Sequence, residues 1–448
     1  MTCAANNNLA SSLAIPEKVF TIALPPSTRF VMPSSMRVLH TADWHLGFSN
    51  EGVSRAEDQR RFLVWLRELV VSRDIELLLV SGDIFDREAP SSEAMKLYYD
   101  FLSSLRSLPQ TVHVVITAGN HDAARNLAAP KEPLRWVNAT VIGQLTADPE
   151  SWNQALLSFD ARDPSHPGLV VAAVPFVQAY HLGSVPQGME GQAESQARAE
   201  HAIGGCYQRL AEVAAEQFPS RPRIAMGHLT VGKPAAEDKQ LRRIHSWEGV
   251  GGLQGLSTDI FGTGYCYVAL GHIHRGYAVS SAPPIRYAGS PVVLDHQEAG
   301  RPHSVTLLEV EADGTVRHEL VEVPQPRALL KLNGNAVELR AQIANLAPAE
   351  LATLLDIQQT VEQHELHGDS SIDAAIAALP EPRPIKIRHH KVLPGAVIDG
   401  KTVELPPLEA VTPEQLFARM FEAKHGQQPA DHLFELFRTI SAGEKGSR

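Results

Sequence analysis

The chain has 448 residues, 44% of them apolar, and 51 Asp plus Glu against 40 Lys plus Arg give a formal charge of −11. This composition excludes collagen-like, mucin-like and wholly disordered chains, and it leaves room for two or three domains with a real core. Three cysteines, Cys3, Cys206 and Cys266, are too few and too scattered for a disulfide framework or a thiolate zinc site, which points to a reducing, cytoplasmic setting.

In chain order, residues 1–35 lack the basic start of a secretory signal and are expected to be an unstructured extension or the product of an early start, with Met36 the effective first residue. From Met36 short β-rich runs alternate with amphipathic stretches, the pattern of an α/β layered domain. A strand over 38–40 leads to Asp43, and Ser54 is placed to cap a helix whose Phe62, Trp65, Leu66, Leu69 and Val70 recur at helical spacing. A buried strand over 77–80 ends at Gly82-Asp83, a helix follows over 92–108, and a strand over 112–117 ends at Gly119-Asn120-His121-Asp122. After a less regular, Pro-rich stretch (148–168) come a strand over 169–174, a helix over 193–218, a strand over 223–226 ending at Gly227-His228, and one over 267–270 ending at Gly271-His272-Ile273-His274. The 169–177 run, the longest apolar candidate, is interrupted by Pro175 and falls short of the roughly 20 residues that cross a bilayer, so no membrane contact is expected.

Asp313-Gly314 between apolar runs at 303–310 and 315–323 signals a hairpin. Pro324 and Pro326 then mark a linker to a smaller α/β unit with strands over 329–332, 354–360 and 385–388 and helices over 337–346 and 372–379. Beyond Pro394, Pro406 and Pro407, two short amphipathic helices carry Leu416, Phe417, Met420 and Phe421, then Leu433, Phe434, Leu436 and Phe437. They offer more apolar surface than they can bury against each other, so they either dock a partner helix or pack back on the small unit.

Five polar clusters stand at predicted strand ends: Asp43-Trp44-His45, Gly82 to Asp86, Gly119 to Asp122, Gly227-His228 and Gly271 to His274. Open α/β sheets place their sites there. Gly-His alone carries no information, but Gly-Asn-His-Asp occurs by chance on the order of once per thousand chains of this length, and all five in order point to one shared site. Imidazoles and carboxylates without thiolates suit Mn, Fe or Zn, and a carboxylate can bridge two ions. Single histidines at strand ends are more often hydrogen-bonded than ligating, and His40, His113 and His245 are assigned that role; Trp44 is assigned to packing.

The set resembles the calcineurin-like metallophosphoesterases over residues 36 to about 300. The finer strings, from Leu39 to Gly47, Gly82 to Asp86, Gly227 to Thr230, Gly271 to Arg275 and Ala288-Gly289-Ser290-Pro291, look like the SbcD nucleases, bacterial relatives of the meiotic-recombination exonucleases. This resemblance implies a layered sheet sandwich flanked by helices (36–323), a DNA-capping α/β domain (327–400) and partner-docking helices (408–448). It implies two divalent ions, expected to be Mn2+. One ion would be held by Asp43, His45, Asp83 and His274, the other by Asp83, Asn120, His228 and His272, and the pair would activate a water for in-line attack on phosphorus. His121 would stand at the leaving group as acid or charge stabiliser, with Asp86 as its partner. The implied activity is 3'-5' double-strand DNA exonuclease and hairpin endonuclease, within a homodimer bound to an SbcC-type coiled-coil ATPase.

The residues themselves lend DNA binding modest support. Arg383, Lys386, Arg388 and Lys391 lie on or beside a strand whose Ile385 and Ile387 would face the core and whose basic side chains would face outward, as a phosphate backbone requires. The same pattern also describes an edge strand guarded by charge. Arg242 and Arg243 are a weaker second candidate. A small-substrate phosphodiesterase that does not act on DNA is the alternative reading.

Overall fold

The computed structural model describes residues 35–184, 192–232, 255–296, 298–361 and 370–392, with isolated pieces at 397–398, 401–402 and between 417 and 437. The 1–34 extension, Arg242, Arg243, His245 and most of the terminal helices lie outside the described residues.

The Leu77–Ser81 strand shows how the large domain is layered. All five of its residues are buried, and the two-residue period of the pleat sends Leu77 and Leu79 into one core and Leu78 and Val80 into another. The first core lies between two six-stranded sheets. In one sheet Ser35–Thr41, Leu77–Ser81, His113–Thr117 and Ala139–Ile142 run parallel, and the antiparallel pair Ser304–Glu311 and Val316–Glu322 extends it beside Ser35–Thr41. The facing sheet runs in the order Tyr277–Ser281, Pro284–Tyr287, Tyr267–Gly271, Arg223–His228, Leu169–Ala173, Leu156–Phe159.

Helices Ala56–Ser72 and Ser92–Arg106 cover the outer face of the first sheet, laying Phe62, Leu66, Leu69, Phe101 and Leu102 on Leu78, Val80, Val114 and Ile116. Each such burial contributes roughly 1.5–3 kcal/mol before entropy is counted. Ser91 caps the second helix, its hydroxyl accepting from Ala94 N at 3.1 Å. The first helix departs from expectation: Arg55 occupies the cap position, without a side-chain cap, and Ser54 Oγ only accepts from Ala56 N. Helix Gln192–Gln217 covers the other sheet through Ile203, Tyr207 and Leu210, with Tyr207 donating its hydroxyl to Met226 O at 3.0 Å. The stretch expected to be irregular holds the 3-10 helix Pro149–Ala155 and the edge strand Leu156–Phe159.

The smaller unit is a parallel sheet in the order Leu329–Gly334, Leu354–Thr360, Ile385–Val392, with helices Ala336–Ala344 and Ser371–Ala377 packed through Leu339, Ile343 and Ile372 on Leu332, Leu355 and Ile357. The segment read as a linker is firmly held. Arg327, 8% exposed, meets the fully buried Asp58 at 3.0 Å, and Asp58 also accepts from Arg55 at 2.9 Å. Gln325 accepts from Val293 N and donates to Pro291 O. Val293 packs on Leu329 and Leu354, and Arg388 pairs with Glu51 at 2.6 Å.

Removing one partner from a buried ion cluster strands the others, at about 3–5 kcal/mol. Asp58→Asn leaves two guanidinium groups facing each other in the interface. It is expected to expose residues 323–329 to protease several-fold faster while the large domain stays intact. Unchanged cleavage there would contradict this account of docking.

Candidate metal centre

All five clusters arrive where the two sheets meet at their carboxyl ends. The ligand loops leave their strands through left-handed backbone: Asp43 has φ 53°, His45 44°, Asp83 50° and His272 94°, four of the seven non-glycine residues with positive φ among those described. Such conformations cost about 1–2 kcal/mol each and persist only where tertiary bonds impose them. Here Asp43 N donates to Gly82 O, His45 N to Asp83 O and Leu46 N to Ile84 O, zipping the first two loops together. Two glycines leave room for this. A Cβ on Gly82 would stand 2.1 Å from His228 Nδ1, and one on Gly119 would stand 2.0 Å from Asp83 Oδ1.

The side chains converge. His45 Nε2 lies 3.1 Å from His274 Nε2, and Asn120 Oδ1 lies 3.1 Å from His228 Nε2 and 2.9 Å from His272 Nδ1. Asp83 Oδ2 stands between the two groups, 3.6 Å from His45 Nε2 and 3.3 Å from His228 Nε2. Asp43 Oδ1 accepts from His272 N at 2.8 Å, whereas its Oδ2 is buried and has no hydrogen-bond partner. Two ring nitrogens about 3 Å apart have the separation of neighbouring ligands on one ion, given metal–nitrogen bonds of about 2.0–2.1 Å. The orphaned Asp43 oxygen and the facing imidazoles thus fit divalent cations, and all seven sequence-predicted ligands are brought together.

The outer nitrogens are committed. His228 Nδ1 donates to Ser81 O at 2.8 Å and His274 Nδ1 faces Glu298 Oε1 at 3.3 Å, so each ring presents Nε2 to the centre. Burial alone would lower His228, but the Asp83 and Asp43 carboxylates outweigh it and raise the imidazole to about 9. Burial likewise pushes Asp83 upward, yet His228 and His45 hold its carboxyl well below the usual range. Asp43 is raised, chiefly by burial, against the opposing pull of His228 and His274. The two carboxylates therefore favour the protonated His228 ring in the metal-free site, and an ion bound there would compete with that proton.

His121 and Asp86 meet differently from the sequence expectation. His121 Nδ1 donates to the Asp86 main-chain carbonyl at 2.9 Å, while the Asp86 carboxylate turns to His45 Nδ1 at 3.6 Å. The loop after Asp83 curls so that Asp86 N bonds Leu46 O, which carries the carboxylate to the His45 side. Trp44 is packing, as expected, buried edge-on against Phe62 and Phe101. His40 is buried against the Tyr267 hydroxyl and its imidazole is lowered to about 3, mainly by burial.

A cleft of about 360 Å³ opens over the cluster, bounded by His45, Asp83, Asn120, His121, His272 and His274. Asp43 and His228 lie beneath it, fully buried. Residues 36–276, over half of the chain, match the calcineurin-like phosphoesterase family. The chain is 32% identical over 401 residues to the SbcD component of the SbcCD nuclease of Rhodobacter capsulatus, covering 86% of this chain and 94% of that one. It is 31% identical to the Escherichia coli K12 SbcD protein over 91% of this chain and 99% of that one.

The chain belongs to the SbcD family of calcineurin-like phosphoesterases.

The Bacillus subtilis family member matches more briefly, at 30% identity over 66% of this chain and 72% of its own. The SbcD match to the E. coli protein spans nearly the whole of that chain, so it takes in the small domain as well as the phosphoesterase core. On that domain, Arg388 pairs with Glu51, Lys386 with Asp373 and Arg383 with Glu381, so three of the four basic residues read as DNA contacts already face carboxylates. In the terminal segment Phe417 contacts the rings of Phe421, Phe434 and Phe437, so part of that apolar surface is shared between the two predicted helices; Leu416, Met420 and Leu436 lie outside the described residues.

Sequence reasoning missed three supports. Gln59 donates to His45 O at 2.6 Å and accepts from Gly47 N, pinning a ligand loop to a helix. Asp122 accepts from Gly119, Ile84 and Phe85 N–H groups; it stood in the Gly-Asn-His-Asp string without a role. Glu298 lies in a loop with no motif, and no local signal marks it.

Proposed function

We propose that this chain is the nuclease subunit of an SbcCD-type complex, a metal-dependent 3'-5' double-strand DNA exonuclease and hairpin endonuclease acting in DNA repair, recombination and replication. The observation that carries the reading is the position of Asp83 Oδ2 between His45 and His228, with Asp43, Asn120, His272 and His274, the four other ligand side chains, around it. Asp43, His45, Asp83 and His274 hold one ion; Asp83, Asn120, His228 and His272 hold the other. Both are Mn2+ in the working enzyme. When bound, the ions neutralise phosphodiester charge and make a water acidic enough to attack at neutral pH.

The protein supplies position and protons. The Nδ1 bond to Asp86 O orients the His121 ring and leaves Nε2 for the leaving oxygen, where it delivers a proton or steadies the developing charge. Asp86, through its carboxylate, orients His45. The small domain caps DNA, with Arg383, Lys386 and Arg388 exchanging their present carboxylate partners for phosphates and Lys391 joining them. The terminal helices dock an SbcC-type ATPase, and the working unit is a dimer of each of the two proteins. The names of the full-length relatives support a nuclease over a small-substrate phosphodiesterase.

The test combines the purified chain with an SbcC-type ATPase, Mn2+ and linear or hairpin duplex DNA. Degradation and hairpin opening are expected, with a loss of about 10² or more in Asn120→Ala. No DNA cleavage with any divalent ion, or turnover of a chromogenic diester alone, would contradict the reading.

A further inference from the structure

We infer that Glu298 is the positioning residue for His274 and that it ties this ligand to the docking of the small domain. The inference rests on the metal-centre reading above and concerns residues that reading leaves unused.

Glu298 is 6% exposed, and its Oε1 faces His274 Nδ1 at 3.3 Å. A carboxylate there fixes the ring's tautomer and orientation and makes Nε2 a better donor toward an ion. His228 receives the same service from Ser81 O, at the end of a fully buried central strand of the facing sheet. Glu298 is held differently. Its Oε2 accepts from Leu294 N at 2.9 Å and Ser290 Oγ at 3.4 Å, so the carboxylate is located by its own loop.

That loop is where the small domain docks. Val293, one residue before the amide that holds Glu298, packs on Leu329 and Leu354 of the small sheet. Its N–H donates to Gln325 Oε1 at 3.1 Å and its carbonyl accepts from Arg55 Nη1 at 2.9 Å. Arg55 in turn pairs with Asp58, which also holds Arg327. One apolar contact of the small domain and the ionic chain Arg327–Asp58–Arg55 both end on Val293, while the Arg388–Glu51 pair lies apart from it. Displacing that domain moves Val293, then the Leu294 amide, then Glu298, and so turns His274. The ion shared by Asp43, His45, Asp83 and His274 is thereby sensitive to how the small domain sits, while the ion on Asn120, His228 and His272 is not.

The test is Mn2+ binding to the full chain, followed by calorimetry and by the electron paramagnetic resonance of the bound ions, with thermal unfolding alongside. Glu298→Gln is expected to weaken one ion by 10- to 100-fold, to leave the other unchanged, and to lower kcat on DNA with KM preserved. Asp58→Asn, which touches no ligand side chain, is expected to weaken the same ion by a smaller factor. If Glu298→Gln does not fold, Glu298→Asp, which keeps the charge but draws the carboxylate back from His274 Nδ1, should show the same selective loss at reduced size. Equal affinities in wild type and Glu298→Gln, or equal loss at both sites, would overturn the positioning role. Selective loss in Glu298→Gln with none in Asp58→Asn would overturn the tie to the small domain. A wild-type chain that binds no ion would instead overturn the metal-centre reading itself.

Discussion

Replacing Asp83 with Asn is expected to lower DNA cleavage by about 10³-fold or more while the protein remains folded. Asp83 Oδ1 accepts from His121 N at 2.9 Å, and an Asn oxygen can keep that bond. The amide nitrogen would then face His45 Nε2 and His228 Nε2, now at 3.6 and 3.3 Å from Asp83 Oδ2; with the Asp83 charge gone, the main support of the protonated His228 ring is lost, and neutral rings can accept from the amide. The change therefore satisfies the metal-free site and removes the one negative oxygen common to both ligand groups. Cleavage assays at saturating Mn2+, with circular dichroism as the control for folding, check this. Activity within about tenfold of wild type would mean that Asp83 does not bridge.

Asp122→Ala is expected to cost about 3 kcal/mol or more and to abolish tight ion binding, although Asp122 is not assigned to an ion. Its two oxygens accept three main-chain N–H groups, from Gly119 at 2.8 Å, Phe85 at 2.9 Å and Ile84 at 3.1 Å. These donors belong to the two loops that carry Asp83 and Asn120. Burial, with the charge of Asp83 added, pushes the Asp122 carboxyl upward, and the three N–H groups partly counter this. Removing the carboxylate leaves three buried donors unpaired and frees the loops from each other. Thermal unfolding and Mn2+ titration are the measurements. An unchanged midpoint with unchanged affinity would show that the loops hold their places without it.

What was legible in the sequence follows from how locally each feature is encoded. Strand Leu77–Ser81 runs only one residue past its expected 77–80 because a buried central strand is a nearly continuous apolar run. Asp83, Asn120, His228 and His272 were legible because each stands at or just past a strand end with a glycine beside it. Three other strands were not: the edge strands Leu156–Phe159 and Tyr277–Ser281 are short and half-exposed, so no apolar alternation marks them, and Pro284–Tyr287, inside the sheet, opens with a proline. Sheet membership was equally hidden, since it depends on partners far along the chain. The Asp86 carboxylate shows the same limit within the site. Its nearness to His121 was readable from the resemblance, but its aim at His45 is set by the turn of the 83–86 loop against Leu46, a tertiary bond. Glu298 and Arg327 act across long sequence separations and announce themselves only in three dimensions.

The most direct test of the two-ion centre is the number of Mn2+ ions bound per full-length chain, counted by elemental analysis after equilibrium dialysis. Two per wild-type chain, falling to fewer than one in Asp83→Asn, is the predicted result. Two ions in both proteins, or none in the wild type, would contradict it.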